Sequence, residues 1–169
     1  MTKLVAAERG YETVMKKLQT PTPVYDGKKV AIIGGGPTGM AAAYFCARAG
    51  IPTTLFEKEN VLGGIVRQVI PAFRISDEAI EKDAAIMKKM GVEVKLGAPA
   101  PAVEELKKQG YTHILFAVGA WKAGKLDIAG NVKPVISWMK DVKAGKVEPL
   151  GHVAVIGGGN TAMDAARLA

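Results

Sequence analysis

A chain of 169 residues is about one domain long, and its 49% hydrophobic and 23% charged residues are typical of a globular protein rather than a disordered one. No run of about 18 apolar residues is present and Lys3 and Glu8 interrupt the start, so we expect no membrane span, no secretory signal and a cytoplasmic location. The net charge of +7 is dispersed, which favours a solvated surface over a nucleic-acid interface, and a single cysteine excludes an internal disulfide.

The predicted elements alternate between helices and strands along the chain. Residues 1–26 are expected to form a helical arm and a proline-containing linker that pack against a neighbour. Beyond them, short apolar runs that favour buried strands alternate with segments of helical periodicity. Strands are predicted at 30–33, 53–56, 92–96, 113–118 and 153–156, and helices at 37–49, 77–90, 101–109, 135–143 and from 160 onward. This order predicts an α/β fold with a mainly parallel sheet and flanking helices.

A glycine-rich loop connects the first predicted strand to the helix after it. Residues 34–39 read GGGPTG and contain the spacing G-x-G-x-x-G. The first glycine permits a tight turn, the second lets the backbone approach a pyrophosphate, and the third lets the helix lie close to the strand. Glu57 follows the second predicted strand, where a carboxylate can accept hydrogen bonds from ribose hydroxyls. These features predict a dinucleotide site, with a βα turn whose glycines serve only packing as the alternative.

A second loop of the same kind follows the strand predicted at 153–156. Residues 157–162 read GGGNTA, with the spacing G-x-G-x-x-A, and predict another pyrophosphate site at another helix start. An edge βα element is the alternative interpretation. Because the sequence stops inside the following helix, we expect it to be a fragment of a longer protein. Two such loops indicate two cofactors, and the natural pair is a flavin and a nicotinamide that exchange a hydride.

Four segments in order carry a resemblance to a known family: VAIIGGGPTGMAAAYFCARAG, TLFEKENVLGGIVRQVIPAFRIS, HILFAVGAW and VAVIGGGNTAMDAAR. They are similar to the flavoprotein module of the glutamate synthase small (beta) subunit and to the N-terminal part of dihydropyrimidine dehydrogenase, and most similar to flavin/iron–sulfur subunits of the selenate reductase type. The resemblance implies a Rossmann-like fold that binds FAD and either NADH or NADPH. It further implies hydride transfer from NAD(P)H to FAD and electron transfer to iron–sulfur clusters that lie outside this chain.

The same resemblance implies a division of the chain. Residues 1–26 would be the arm, 27–150 the N-terminal part of an FAD-binding domain, and 151–169 the truncated start of an NAD(P)H-binding domain. Since the rest of both domains is missing from these residues, no turnover is expected from them alone. Partners would be other domains or subunits of an electron-transfer complex, with no nucleic acid and no membrane among them.

The resemblance also assigns cofactor contacts by position. The expected FAD contacts are the pyrophosphate loop (Gly34, Gly36, Pro37, Thr38 and Gly39) and the residues at the adenosine ribose (Glu57 and Lys58). A loop beside the diphosphate and the flavin ring adds Gly63, Gly64 and Ile65, and the IPAFR turn adds Arg74. Ala100 would lie at the adenine, and Ala117 and Gly119 at the end of the fourth strand. The expected NAD(P)H contacts are Gly157, Gly158, Gly159, Asn160 and Thr161. Arg74 would contact the flavin phosphates or stabilise the reduced flavin. Its alternative is a surface ion pair with Asp77 or Glu78.

No catalytic side chain is predicted, because hydride transfer needs no general acid or base. His113 and His152 lack partners at ligand spacing, so no metal site is predicted. The lack of a C-x-x-C pair counts against the glutathione reductase and thioredoxin reductase classes. Two alternatives stay open, because a fold does not determine a function. The arm is compatible with a non-enzymatic docking or scaffold module, and the positive charge with a flavin-dependent enzyme that modifies nucleic acid.

Overall fold

The computed structural model describes residues 2–24, 27–124, 126–147 and 150–169. Two compact units are formed, the first by Met1–Gly64 and Glu78–Gly119 and the second by Ile65–Asp77 and Ala120–Ala169. The strands are β1 (Val30–Ile33), β2 (Thr53–Phe56), β3 (Glu93–Lys95) and β4 (His113–Phe116). The helices are α1 (Thr2–Lys17), α2 (Pro37–Arg48), α3 (Gly64–Gln68), α4 (Asp77–Lys89), α5 (Val103–Lys108), α6 (Val135–Lys143) and α7 (Asn160–Leu168). Among the described helices, none has the length and apolar character needed to cross a bilayer.

The first unit is organised by a four-stranded sheet in the order β3-β2-β1-β4, in which every pairing is parallel. This confirms the predicted α/β fold with a parallel sheet. β1 lies at the centre, so its last residue, Ile33, is in register with Phe56 of β2 and Phe116 of β4. The carboxyl ends of the strands therefore meet at one edge, and that edge is where ligands bind in open α/β sheets.

Alternating side chains of the strands bury two separate apolar clusters, one on each face of the sheet. On one face, Ile32 and Leu55 pack with Met87 of α4, and all three side chains are fully buried. On the other face, Phe56 packs with Leu106 of α5. Helices thus cover both faces, which explains why β1 and β2 read as continuous apolar runs in the sequence.

The fourth strand was predicted to be buried over 113–118, and this expectation is wrong in length and in burial. β4 ends at Phe116, and Phe116 is 60% exposed. Its position at the edge of the sheet explains the difference, because an edge strand has a neighbour on one side only. A short apolar run in a sequence does not distinguish a central strand from an edge strand.

The strand predicted at 153–156 is also absent from the part of the chain that the structure describes. These residues have no regular secondary structure, and Val153 and Ile156 are 45% and 68% exposed. A strand exists only through hydrogen bonds to a neighbour, and none of the described segments pairs with this one. Conversely, the short helix α3 was not predicted, since the glycines around it read as a loop.

The N-terminal arm contributes a helix whose side chains stay exposed. None of the described residues of α1 is buried, whereas the linker after it packs on the first unit. Leu18 lies against the core, Thr20 Oγ1 donates to the Lys89 carbonyl at 2.9 Å, and the Val24 amide donates to the Gly50 carbonyl at 3.2 Å.

The second unit is held together by a small apolar core and a group of ion pairs. Val69 packs with Met139 of α6 and Ala165 of α7, all of them buried. Lys143 Nζ donates to the Ile70 carbonyl at 2.7 Å and lies 3.7 Å from the Asp77 carboxylate. The segment Ile65–Asp77 is therefore fixed to α6 by both kinds of contact.

Candidate functional site

The first glycine loop begins directly at the carboxyl end of β1, and two of its glycines are required by the protein itself. Gly34 has a φ of +110°, and a β-carbon there would lie 2.4 Å from the Ala117 carbonyl oxygen. A β-carbon on Gly39 would lie 1.8 Å from the Gly34 carbonyl oxygen. Any side chain at either position would therefore push the helix or the neighbouring strand end away from the loop.

Gly36 differs, because its own environment leaves room for a side chain. Its φ of −74° is ordinary, and an added β-carbon would come no closer than 3.9 Å to the Cα of Gly64. It is the N-cap of α2, which makes no side-chain capping bond, and Pro37 begins the helix. A backbone that can be approached closely, followed by a helix start without a side-chain cap, fits the pyrophosphate of a dinucleotide. This observation supports a cofactor, rather than packing, as the reason for glycine at position 36.

Gly63 and Gly64 lie against the same loop. The Gly63 amide donates to the Gly35 carbonyl at 2.8 Å. Gly64 has a φ of +53°, and a β-carbon on it would lie 2.8 Å from the Cα of Gly36. The two glycine segments, far apart in the sequence, thus approach each other backbone to backbone.

The Glu57 carboxylate also joins this loop. The side chain is buried, with 7% of the residue exposed. Its Oε2 accepts a hydrogen bond from the Gly35 amide at 2.6 Å, and its Oε1 accepts one from the Glu59 amide at 2.9 Å. Because each carboxylate oxygen has a second lone pair, capacity for two ribose hydroxyls remains. The bond from Gly35 to Glu57 was not predicted, because no pattern in the sequence distinguishes it from the ribose contact.

The remaining residues expected at the FAD site lie in several parts of the structure. The Ala117 amide extends the sheet by donating to the Ile33 carbonyl at 2.8 Å, and its own carbonyl lies against Gly34. Ala100 packs on the core cluster that includes Phe56. Lys58 is exposed, Pro37 and Thr38 begin α2, and Gly119 has a φ of +72°. Ile65 and Arg74 belong to the second unit.

The second glycine loop leads into α7 without a strand before it. Gly157 has a φ of +137°, and a β-carbon on it would lie 3.3 Å from the Ala162 β-carbon. No atom lies within 4 Å of the β-carbon positions of Gly158 and Gly159. Gly159 is the N-cap of α7 and makes no side-chain capping bond. The exposed Asn160 and Thr161 begin the helix, so this helix start also has room for an anion.

Arg74 forms an ion pair that was not predicted from the sequence. Its Nε donates to the Asp164 carboxylate on α7. The ion pair expected as the alternative, with Asp77 or Glu78, is not formed. Asp77 pairs with Arg67 at 3.6 Å and with Lys143, while Glu78 pairs with Lys82 at 2.8 Å. Asp164 is itself buried, with 7% of the residue exposed.

The described residues provide neither a reactive thiolate nor a cluster of metal ligands. Burial raises the pKa of the Cys46 thiol above its ordinary value of 9.0, so the thiol is neutral near pH 7. As the single cysteine of the sequence, it forms no disulfide within the chain. In the described part of the chain, no three His, Cys, Asp or Glu side chains lie together as metal ligands.

Comparisons with known proteins agree with the geometry. Residues 28–169 match the family described as pyridine nucleotide-disulphide oxidoreductase. The "Putative oxidoreductase YgfK" of Escherichia coli (strain K12) is 41% identical over 172 residues, which cover 99% of this chain and 17% of that protein. The glutamate synthase (NADPH) small chain of the same strain is 31% identical over 159 residues, which cover 83% of this chain and 34% of that protein.

A solved structure shows the same fold. The 2-naphthoyl-CoA reductase complex with 2-naphthoyl-CoA gives a TM-score of 0.64 at 25% identity, and the match covers 87% of this chain and 22% of that one. The resemblance to glutamate synthase small subunits, first seen in four motifs, is confirmed. The chain spans about a third or less of the length of each of these three proteins.

Proposed function

The chain belongs to the pyridine nucleotide-disulphide oxidoreductase family, and we propose that its first glycine loop binds FAD and its second binds NAD(P)H in a flavoprotein oxidoreductase. One observation carries the proposal. At the carboxyl edge of the sheet, Gly36 is the glycine of its loop that the protein's own packing does not require. A glycine kept at a place where a side chain would fit is explained by a ligand that must approach the backbone.

The proposed FAD site consists of residues from the first unit. The amides at the start of α2, after Gly36, would bind the pyrophosphate, and Glu57 would accept the ribose hydroxyls with its remaining lone pairs. Gly64 keeps the space above Gly36 narrow and free of side chains. The other proposed contacts in this unit are Gly34, Pro37, Thr38, Gly39, Lys58, Gly63, Ala100, Ala117 and Gly119.

The proposed nicotinamide site is the loop 157–161, whose amides at the start of α7 would bind the second pyrophosphate. The name of the similar glutamate synthase chain includes NADPH, so we take NADPH as the first nucleotide to test. In terms of sequence, we propose that 27–150 supplies the FAD-binding part and 151–169 the start of the NAD(P)H-binding part, with 1–26 as an arm.

Together the bound pair would supply hydride transfer from NAD(P)H to FAD, followed by transfer of single electrons to iron–sulfur clusters in other domains or subunits. We place this reaction in the cytoplasm, where NAD(P)H is available. The chain's own residues bind and orient the two nucleotides, and no side chain is assigned a proton transfer. The named relatives are an oxidoreductase and a synthase subunit, which favours this function over a scaffold or a nucleic-acid-modifying enzyme.

The test is a titration of the protein with FAD, followed by the change in flavin fluorescence. We expect Gly36→Ala to weaken FAD binding by at least about tenfold, because a methyl group would occupy the space that the pyrophosphate needs. The matched control is Gly124→Ala, since a β-carbon at Gly124 meets no atom within 4 Å, much as one at Gly36 meets only the Cα of Gly64 at 3.9 Å, and Gly124 lies away from the glycine loops in sequence. Equal FAD affinity of the Gly36→Ala and Gly124→Ala variants would contradict the proposed site.

A further inference from the structure

Gly35, in the middle of the first glycine loop, is held by residues of the segment that follows β2. Its amide donates to Glu57 Oε2 at 2.6 Å, and its carbonyl accepts from the Gly63 amide at 2.8 Å. A β-carbon on Gly35 would lie 2.5 Å from Cδ2 of the buried Leu62. Both polar groups of Gly35 are therefore bonded within the protein, and Leu62 leaves no room for a side chain on it.

These two hydrogen bonds also set the directions of the adjoining peptide groups. The C=O and N–H of a trans peptide point in opposite directions, and none of the described peptide bonds is cis. Because Glu57 binds the Gly35 N–H, the Gly34 carbonyl of the same peptide faces away from Glu57, toward α2. Because the Gly63 amide binds the Gly35 carbonyl, the Gly36 N–H points away from Gly63.

The N–H groups left for an anion come after Gly35. The Gly34 amide donates to the Phe56 carbonyl at 2.8 Å, and Pro37 has no N–H. In the described part of the chain, the amides of the loop that donate to no protein acceptor are those expected at the first turn of a helix: Gly36, Thr38 and Gly39. A pyrophosphate at this loop thus depends on the direction of the Gly36 N–H.

The Glu57 carboxylate connects two segments of the chain. Only 7% of the residue is exposed, and its second oxygen accepts from the Glu59 amide at 2.9 Å. A buried carboxylate needs such N–H donors to offset the loss of water, and a charged acceptor makes each bond stronger than a neutral one would. Glu57 therefore joins the loop 34–36 to residues 57–59 through contacts that lie entirely within the protein.

We propose that Glu57 is a positioning residue for the pyrophosphate as well as an acceptor for the ribose. By holding the Gly35 amide, it keeps the adjoining Gly36 N–H directed at the ligand. This inference rests on the proposed function, since it assumes FAD at the first loop. The two roles differ in a measurable way. A ribose contact acts only on a nucleotide that carries the hydroxyls, whereas a displaced loop weakens the binding of every nucleotide with this pyrophosphate.

The hold on the loop is tested by amide hydrogen exchange, followed by ¹⁵N NMR without added nucleotide. We expect exchange at the Gly35 and Gly63 amides to become at least about tenfold faster in Glu57→Ala, because the loop loses its acceptor. The Val30 amide is also hydrogen-bonded but lies at the opposite end of β1, so it is the internal reference and should change less. Glu104→Ala, at an exposed glutamate of α5, is the matched control. Equal acceleration at Gly35 and Val30, or none at Gly35, would overturn the proposal.

The effect on the ligand is tested with two forms of FAD, the natural one and one whose adenosine is replaced by 2′,3′-dideoxyadenosine. Flavin fluorescence gives the dissociation constant of each form. We expect Glu57→Ala to weaken the binding of both forms by at least about tenfold, because both carry the pyrophosphate. A loss of less than about twofold for the dideoxy form would contradict the positioning role, since Glu57 would then act through the hydroxyls alone. A wild-type protein that binds natural FAD but not the dideoxy form would contradict it as well.

A second variant and a second readout keep folding and function apart. If Glu57→Ala does not fold, Glu57→Gln removes the charge at nearly constant shape and should weaken the binding of both forms by similar factors. A loss confined to natural FAD in Glu57→Gln would then overturn the proposal. A wild-type protein that binds neither form would instead refute the proposed function, while exchange at Gly35 would still decide whether Glu57 holds the loop.

Discussion

Gly39→Ala provides the most direct test of how the first loop is built. A β-carbon at this position would lie 1.8 Å from the Gly34 carbonyl oxygen and 3.0 Å from the Gly34 carbonyl carbon, well inside the 3.4 Å at which ordinary contact begins. Both clashing atoms belong to the backbone, so no change of rotamer can relieve the clash. The start of α2 must move away from the end of β1 by more than an ångström.

The energetic cost follows from what that movement disrupts. Met40 and Ala43 of α2 are buried in the core beside Ile32, and overpacking of this kind costs roughly 1–3 kcal/mol or more. Alanine gains up to about 1 kcal/mol over glycine inside a helix, which offsets part of the loss. We therefore expect Gly39→Ala to lower the free energy of unfolding by about 2 kcal/mol, and the melting temperature by roughly 4–8 °C.

Urea unfolding followed by far-ultraviolet circular dichroism measures this change. Gly36→Ala is the control from the same loop, because its added methyl group has room, and its stability should stay within about 0.5 kcal/mol of the wild type. If Gly39→Ala were as stable as the wild type, the close approach of helix and strand would not be real. If Gly36→Ala were the more destabilised of the two, the assignment of roles to the glycines would be reversed.

Three further substitutions test other parts of the account. Glu57→Gln should lower the free energy of unfolding by about 1–3 kcal/mol and weaken FAD binding, because the NH₂ group of the glutamine would face a backbone N–H donor. Urea unfolding measures the stability and FAD titration measures the affinity. An unchanged stability would contradict the two hydrogen bonds from the backbone to Glu57. The Thr54 hydroxyl, 2.8 Å from Glu93, lowers the pKa of Glu93 below its ordinary value of 4.5. Thr54→Val should therefore lower the free energy of unfolding by less than about 1 kcal/mol at neutral pH, since the Glu93 carboxylate is more than half exposed. This difference should vanish as the pH falls through the folded-state pKa of Glu93, because the hydroxyl stabilises the charged form of the carboxyl group. Urea unfolding at neutral and at acidic pH measures it, and a loss of stability that does not change with pH would contradict the assignment. Leu106→Ala should cost about 2–5 kcal/mol because Leu106 is fully buried, whereas Leu115→Ala, at a residue 42% exposed, should cost far less in the same assay.

Helices and central strands could be predicted because the local sequence determines them. The sequence placed α6 at 135–143, which are its observed bounds, since periodicity and a glycine stop after it coincide there. It also placed the first glycine loop between a strand and a helix, and Glu57 at the end of β2. These features depend on neighbours in sequence, which is what sequence patterns record.

The parts that could not be predicted depend on neighbours in space. Val153–Ile156 has the composition of a buried strand, yet it forms none, because a strand requires a partner along its backbone. The exposed face of Phe116 follows from the edge position of β4, which becomes known only with the strand order. The pairing of Arg74 with Asp164 joins residues 90 positions apart, so no local pattern could identify it.

The central claim is that FAD on the first loop accepts a hydride from NAD(P)H on the second. The most direct measurement is anaerobic mixing of the FAD-loaded full-length protein with NADPH or NADH, followed by the visible absorbance of oxidised flavin. The account predicts that this absorbance is lost in one turnover, at a rate that saturates with one of the two nucleotides. Flavin that stays oxidised with both nucleotides, in a protein that has bound FAD, would contradict it.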